Sequence, residues 1–271
     1  MTTRPTTVDD LCALVANAQA TNTKLRLRGG STKDAIGAPC DAQVVDMRGF
    51  AGVVDYDPPE LVLTVGAGTP LAEIEALVAS EGQMLAFDPF DHGVMLGTDH
   101  GATIAKATIG GVIAAGVAGP ARLSRGGARD HLLGFAAVSG RGETFVAGAK
   151  VVKNVTGYDL PKLMAGSWGR LAALTEVTLK VLPAPRTRLT LATRGLDAAG
   201  AVVAIARATG SAAEVTAAAH LPDWRGAAVT TVLFLVGKQL LGLYLAHQTA
   251  KSGYGGGRSV IVIGPELRLH Q

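Results

Sequence analysis

Apolar residues recur at positions 11, 14, 15 and 18, the spacing of one helix face, just after Thr7-Val8-Asp9-Asp10, which can cap a helix start. The pattern then shortens. Residues 25–27 and 44–47 read as strands, the second ending at Arg48-Gly49. Residues 52–56 and 61–65 read as an antiparallel pair turning at Asp57-Pro58-Pro59-Glu60. Helical spacing returns after Thr69-Pro70. Pro70 is expected at the first helical position, with Leu71, Ile74, Leu77 and Val78 on one face.

Residues 82–128 are rich in glycine and loop signals, with a small-residue helix expected near 110–116. Strands are expected at 132–139 and 143–147 around Gly140-Arg141-Gly142, and a short helix at 162–164. A strand over 174–181 is stopped by Leu182-Pro183-Ala184-Pro185. Hairpins mixed with helices, without regular strand–helix alternation, predict an α+β fold. Pro183 and Pro185, with Arg186 and Arg188, mark a domain boundary. Beyond it a strand over 189–193 and an Ala-rich helix over 198–208 are expected.

The chain has 271 residues, 48% of them hydrophobic and 35 of them glycine, enough to bury a core while placing many positions in special backbone geometry. Charged residues at 17% exclude a disordered tail protein, and a net charge of +3 with 4% aromatics excludes nucleic acid as a partner. Cys12 and Cys40 lack metal-ligand spacing and are expected to be buried reduced thiols, so no metal site is expected. The polar N-terminus has no apolar signal core, and with the thiols it suggests a cytoplasmic protein.

The candidate chemistry lies in two glycine-rich segments. Arg28-Gly29-Gly30-Ser31-Thr32-Lys33 follows a strand and can present consecutive backbone N–H groups to a diphosphate, with Lys33 adding a point charge. Thr108-Ile109-Gly110-Gly111 lies downstream, followed by Ala115, Gly116, Gly119 and Arg125. Gly110 and Gly111 would let the chain pass close to a ligand, and Arg122 and Arg125 could offset negative charge. Two such loops suggest one long cofactor held at two places. Ordinary turns and close helix packing are the alternatives. His92 and His100 are acid–base candidates or solvent-facing loop residues. No catalytic residue can be assigned.

Taken together, these residues resemble a known family. The stretches 28–33, 65–69, 108–111, 125–134 and 150–163, and above all Lys153-Asn154-Val155-Thr156-Gly157-Tyr158-Asp159-Leu160 followed by Gly166-Ser167-Trp168-Gly169, are similar to the FAD-binding domain of the vanillyl-alcohol-oxidase (PCMH) type. Within that type they resemble the FAD-binding E subunits of bacterial glycolate oxidases. The resemblance implies two α+β subdomains with FAD between them, and non-covalent attachment, since residues 28–33 hold no histidine. It implies a Pro-containing turn at Pro89 near the cofactor and a flavin pocket to which Lys153 and Tyr158 contribute. It also implies oxidation of a 2-hydroxy acid, glycolate to glyoxylate, beside a second flavoprotein subunit and an iron–sulfur subunit. A non-catalytic FAD-binding assembly subunit, or a truncated or fused fragment, is the alternative.

The expected domains are 1–185 for FAD, 186–222 as the remnant of a truncated C-terminal cap, and 223–271 as an atypical hydrophobic tail. Residues 227–246 form a 20-residue apolar run with ten Val, Leu or Phe residues and one lysine, Lys238. At roughly −0.3 to −0.6 kcal/mol each, those ten about offset a central lysine at about +3 kcal/mol. The run therefore reads either as a marginal membrane segment, giving peripheral or membrane association at the inner membrane face, or as a buried or amphipathic helix. Residues 234–244 and 252–255 resemble the YihY-type inner-membrane family, which suggests a fused or frame-shifted tail.

Overall fold

The computed structural model describes residues 2–90, 107–148, 157–186, 188–211, 215–221, 230–236 and 260–263. The chain divides into two compact units, one of residues 1–119 and 126–183 and the other of residues 120–125 and 184–271.

In the first unit, β1 (Thr2–Thr3), β2 (Leu25–Arg28) and β3 (Gln43–Asp46) form a small parallel sheet in the order β1-β3-β2. Helix α1 (Val8–Ala20) connects the first two strands. The Thr7 hydroxyl caps it by accepting from the Asp10 N–H at 3.1 Å. Its buried Leu11 and Val15 pack with Val45 and Met47, and also with Val138 and Ala173 of a second, larger sheet. One helix face thus joins the two sheets.

The larger sheet is antiparallel and five-stranded. It comprises β4 (Val53–Asp57), β5 (Val62–Gly66), β7 (Leu132–Ser139), β8 (Thr144–Gly148) and β9 (Ala172–Lys180), in the order β4-β5-β9-β7-β8. Every residue of β5 is buried, as expected for an inner strand covered on both faces. Helix α2 (Leu71–Ser80) and the short helix α3 (Ile109–Ala115) lay Leu71, Ile74, Val78, Ile109, Val112 and Ile113 into the same core as Leu63, Val65, Val177 and Leu179. Pro70 stands one place earlier than the sequence suggests, at the N-cap, and its side chain makes no capping bond. Strand β6 (Gln83–Met84) pairs with β10 (Leu182–Pro183), and the short helices α5 (Ala128–His131) and α6 (Leu160–Met164) complete the unit. Cys12 is half-buried and Cys40 exposed, so the expectation of two buried thiols fails for Cys40.

The second unit holds the short helix α4 (Arg122–Arg125), α7 (Ala198–Thr209) and one four-stranded antiparallel sheet. Its strands β11 (Arg188–Arg194), β12 (Val215–Leu221), β13 (Thr230–Val236) and β14 (Val260–Ile263) run in the order β12-β13-β11-β14. The sequence pattern did not signal β12. Of the run 227–246 the structure describes residues 230–236, which are not the helix expected there; the rest of the run lies outside the described residues. Residues 230–236 are a strand whose backbone pairs with β12 on one side and β11 on the other. An inner strand hydrogen-bonded on both edges tolerates a continuous apolar stretch, which sequence alone does not tell from part of a helix. No helix among the described residues is long and apolar enough to cross a membrane. The sheet uses strands from both sides of residue 222, and residues 237–259 lie outside the described residues.

Candidate functional site

The site starts from the alternation of a strand. Arg26 and Arg28 are two apart on β2, so their side chains fall on one side. Asp34 meets both. Its Oδ1 lies 3.3 Å from an Arg26 guanidinium nitrogen and its Oδ2 lies 2.9 Å from one of Arg28. Arg26 also donates to the Asp34 carbonyl at 3.1 Å. The loop between therefore folds back on its own strand. The reversal passes through Ser31, a non-glycine residue at φ +64°, and is closed by Asp34 N–H donating to the Ser31 carbonyl at 3.3 Å. The backbone N–H groups of Gly29, Gly30 and Ser31 donate to no acceptor among the described residues. Consecutive free amides beside a left-handed residue form a concavity suited to an anion.

The second segment is built differently. Thr108 caps α3, its hydroxyl accepting from Gly111 N–H at 3.4 Å. Ile109 N–H donates to the Thr69 carbonyl at 3.0 Å, and Gly110 N–H donates to the Ala67 carbonyl at 2.7 Å. A Cβ at position 110 would lie 2.7 Å from that carbonyl oxygen and 2.8 Å from the Ala67 methyl. Gly110 is thus small so that α3 can lie against β5 and the turn after it. The amides of Gly110 and Gly111 are both used by the protein, so this segment offers a ligand close approach and not these donors. The two segments nevertheless meet: a Cβ at Gly29 would collide with the Thr108 hydroxyl.

A third turn joins them. Gly166 N–H donates to Ile113 and Trp168 N–H to Ala114, at 3.0 and 2.8 Å, which ties residues 166–168 to the end of α3. Trp168 sits at φ +56°, a left-handed conformation that costs a bulky side chain on the order of 1–3 kcal/mol.

These three segments line one cleft of about 710 Å³, within the ~300–1,000 Å³ usual for small-molecule sites. Of the expected residues, Arg28, Gly29, Gly30, Ser31, Thr32, Lys33, Thr108, Gly110, Gly111 and Ala115 line it. Pro89 is buried, and Gly119 packs against Asp88 with its N–H bonded to the Phe87 carbonyl; neither is in the lining. Tyr158 also stands outside the lining with its side chain 91% exposed, so a ring packed within the pocket is not what the structure holds. Arg122 and Arg125 belong to α4 of the second unit. Lys153, His92 and His100 lie outside the described residues.

The residue list drawn from sequence missed Arg26, Asp34, Ser167 and Trp168, all of which line the cleft. The Gly166-Ser167-Trp168-Gly169 motif was visible as a likeness, and the Arg-x-Arg alternation into the loop could have singled out Arg26. Two buried polar atoms of the lining, Arg28 Nε and Ser167 Oγ, have no hydrogen-bond partner among the described residues. Buried polar atoms are seldom left so, and both suit a polar ligand. Beneath the loop, Asp46 pairs in register with Arg28 and accepts from the Arg48 guanidinium at 2.9 and 2.7 Å. That hydrogen bonding holds the Asp46 carboxyl below the usual carboxylate range.

A loop of unused amides and cations on the edge of a parallel sheet, set against a thin wall of small residues, suits a nucleotide cofactor. Residues 1–148, more than half of the chain, match the FAD binding domain family, and the chain belongs to it. FAD is accordingly its cofactor. The free amides, Arg28 Nε and Ser167 Oγ fit that molecule, which brings a diphosphate and two hydrogen-bonding rings. The chain is 44% identical over 177 residues to glycolate oxidase subunit GlcE of Escherichia coli, covering 65% of this chain and 47% of that one. It is 29% identical over 208 residues to D-lactate dehydrogenase of Archaeoglobus fulgidus, covering 75% and 44%. The chain therefore spans less than half the length of these relatives. Its fold is similar to that of solved alkyldihydroxyacetonephosphate synthase, with a TM-score of 0.70 at 19% identity over 92% of this chain and 49% of the other.

Proposed function

We propose that this chain is the FAD-carrying subunit of a glycolate-oxidase-type complex, relaying electrons during oxidation of a 2-hydroxy acid, glycolate to glyoxylate. The observation that supports the substrate class is the 44% identity over 177 residues to a glycolate oxidase subunit. When bound, FAD supplies a two-electron acceptor. The residues proposed to hold it are those of the cleft. The amides of Gly29, Gly30 and Ser31 and the guanidinium of Arg28 take the diphosphate. Lys33 adds positive charge. Gly110, Gly111 and Ala115 keep the wall thin, and Thr108 fixes that wall to the loop. Attachment is proposed to be non-covalent, since residues 28–33 hold no histidine. Work beside a second flavoprotein subunit and an iron–sulfur subunit, at the cytoplasmic side of the inner membrane, completes the proposal.

A second reading has its own support. The ionisable groups of the described lining are Arg26, Arg28, Lys33, Asp34 and Arg170, and Asp34 is held in two ion pairs. This set binds anions and offers no ready base for a substrate hydroxyl. A subunit that holds FAD for its complex without oxidising the substrate itself fits that set. One experiment separates the two. The purified full chain should show a flavin absorbance spectrum, with the flavin released by acid or heat. Bleaching by glycolate with the chain alone supports the enzyme. Bleaching of this chain's flavin only after adding partner subunits also supports the relay, whereas a flavin that stays oxidised while the assembled complex consumes glycolate supports the holder. Colourless protein that takes up no FAD overturns both.

A further inference from the structure

We propose that Trp168 is the stacking platform for the adenine ring of the dinucleotide, with the Ser167 hydroxyl reading the edge of that ring. This rests on the assignment of the cleft to FAD. Trp168 is a large apolar residue left 49% exposed while lining a cavity, which is where an aromatic ligand would cover it. It occupies a left-handed backbone position that glycine would fill without strain, as Gly166 and Gly169 do on either side at φ +85° and +68°. The strain is imposed by the turn's hydrogen bonds to the end of α3. Such a conformation in a bulky residue at a cavity wall points to a role for the side chain.

Ser167, its neighbour, carries the buried hydroxyl with no partner among the described residues. A hydroxyl both donates and accepts. Adenine presents one acceptor and one donor along a single edge and a flat face above it, which matches the pair. Distance along the wall fits as well. A Cβ at Gly169 would touch the Leu27 side chain at 3.3 Å, and Leu27 stands two residues before the free amide of Gly29. The ring platform and the diphosphate loop are therefore neighbours across the cleft. The adenine takes no part in electron transfer, so it can be closed in by this wall.

The chain has two tryptophans, so Trp224→Phe leaves Trp168 as the sole indole. Cofactor-stripped full-length protein of this variant is titrated with ADP and, separately, with FMN. The proposal expects saturable quenching of indole fluorescence by ADP, with FMN, whose isoalloxazine quenches by energy transfer without stacking, as the control for entry of the other half of the cofactor. Trp168→Leu in the wild-type chain should weaken both ADP and FAD about tenfold, and Trp168→Phe should recover most of that loss, as expected for stacking on a base. Quenching by FMN with ADP silent would overturn the proposal. Unchanged ADP affinity in Trp168→Leu would also overturn it while leaving FAD binding intact. If neither ADP nor FAD binds the Trp224→Phe protein, the assignment of the cleft to FAD falls, and this inference with it. Should the Trp168 variants fail to fold, the titration of Trp224→Phe decides alone.

Discussion

The segments 28–33 and 108–111 carry the same sequence signal, adjacent glycines near a hydroxyl residue, and they are built for opposite purposes. In the first, the chain doubles back on β2, and the amides of Gly29, Gly30 and Ser31 meet no acceptor among the described residues. In the second, the amides of Ile109, Gly110 and Gly111 are all taken up by Thr69, Ala67 and Thr108. The glycines of the first leave donors accessible, whereas Gly110 makes room for the turn that follows β5. Adjacent glycines allow close approach in both cases; what approaches is decided by where the N–H groups already point.

The comparison can be broken most sharply at Gly110. Gly110→Ala drives a methyl into the Ala67 carbonyl, and backbone there cannot give way cheaply. It should destabilise the chain by about 1–3 kcal/mol, a fall of roughly 3–10 °C in melting temperature. FAD affinity should drop only as the folded fraction drops. An unchanged melting temperature would show that the second loop is not the packed element described above.

The contact between the loops comes next. Gly29→Ala collides with the Thr108 hydroxyl, and Thr108→Ala removes both that obstacle and the cap of α3, a loss of about 1 kcal/mol. The double variant should therefore be no less stable than Thr108→Ala alone. Strict additivity in denaturant unfolding would mean the two loops do not touch.

Asp34→Asn sharpens the electrostatic side. Losing the carboxylate frees Arg26 and Arg28 from an ion pair that is partly solvent-exposed. FAD binding should tighten by about two- to fivefold at low salt and converge on wild type at high salt. Weaker binding, measured by fluorescence titration, would make Asp34 a structural brace for the open loop.

The smallest effect concerns the platform beneath that loop. Bonding to Arg48 lowers the folded-state pKa of Asp46. Its contribution to stability is therefore complete above the unfolded value of about 4 and is lost as pH falls through the lowered folded value. The stability gap between wild type and Asp46→Asn should be constant from about pH 5 to 7 and should close on further acidification, as followed by urea unfolding at several pH values.

The elements of the first unit were legible because their periods were unambiguous. Leu11, Val15 and Ala18 on α1, and Leu71, Ile74 and Val78 on α2, are buried as their spacing required. The turn at 28–33 was legible because it combines a strand end, glycines and cations, the features that make it the proposed anion cradle. The destination of the Gly110 amide was not legible, because it depends on Ala67, 43 residues earlier, across a tertiary contact. Trp168 escaped the residue list for a related reason: its interest lies in a backbone angle, which residue type alone argues against. β13 misled because apolar content measures burial, and a twice-paired strand is as apolar as a helix.

That strand carries one more implication. β13 is the middle rung between β12 and β11, and its residues come later in the chain than both. A ribosome releasing this polypeptide makes the two outer rails first and must wait for residues 230–236 before they can be joined. Until then, each rail offers bare peptide groups to any extended segment nearby. Shortening the gene at codon 222 would make that interval permanent, and the product should collect in inclusion bodies.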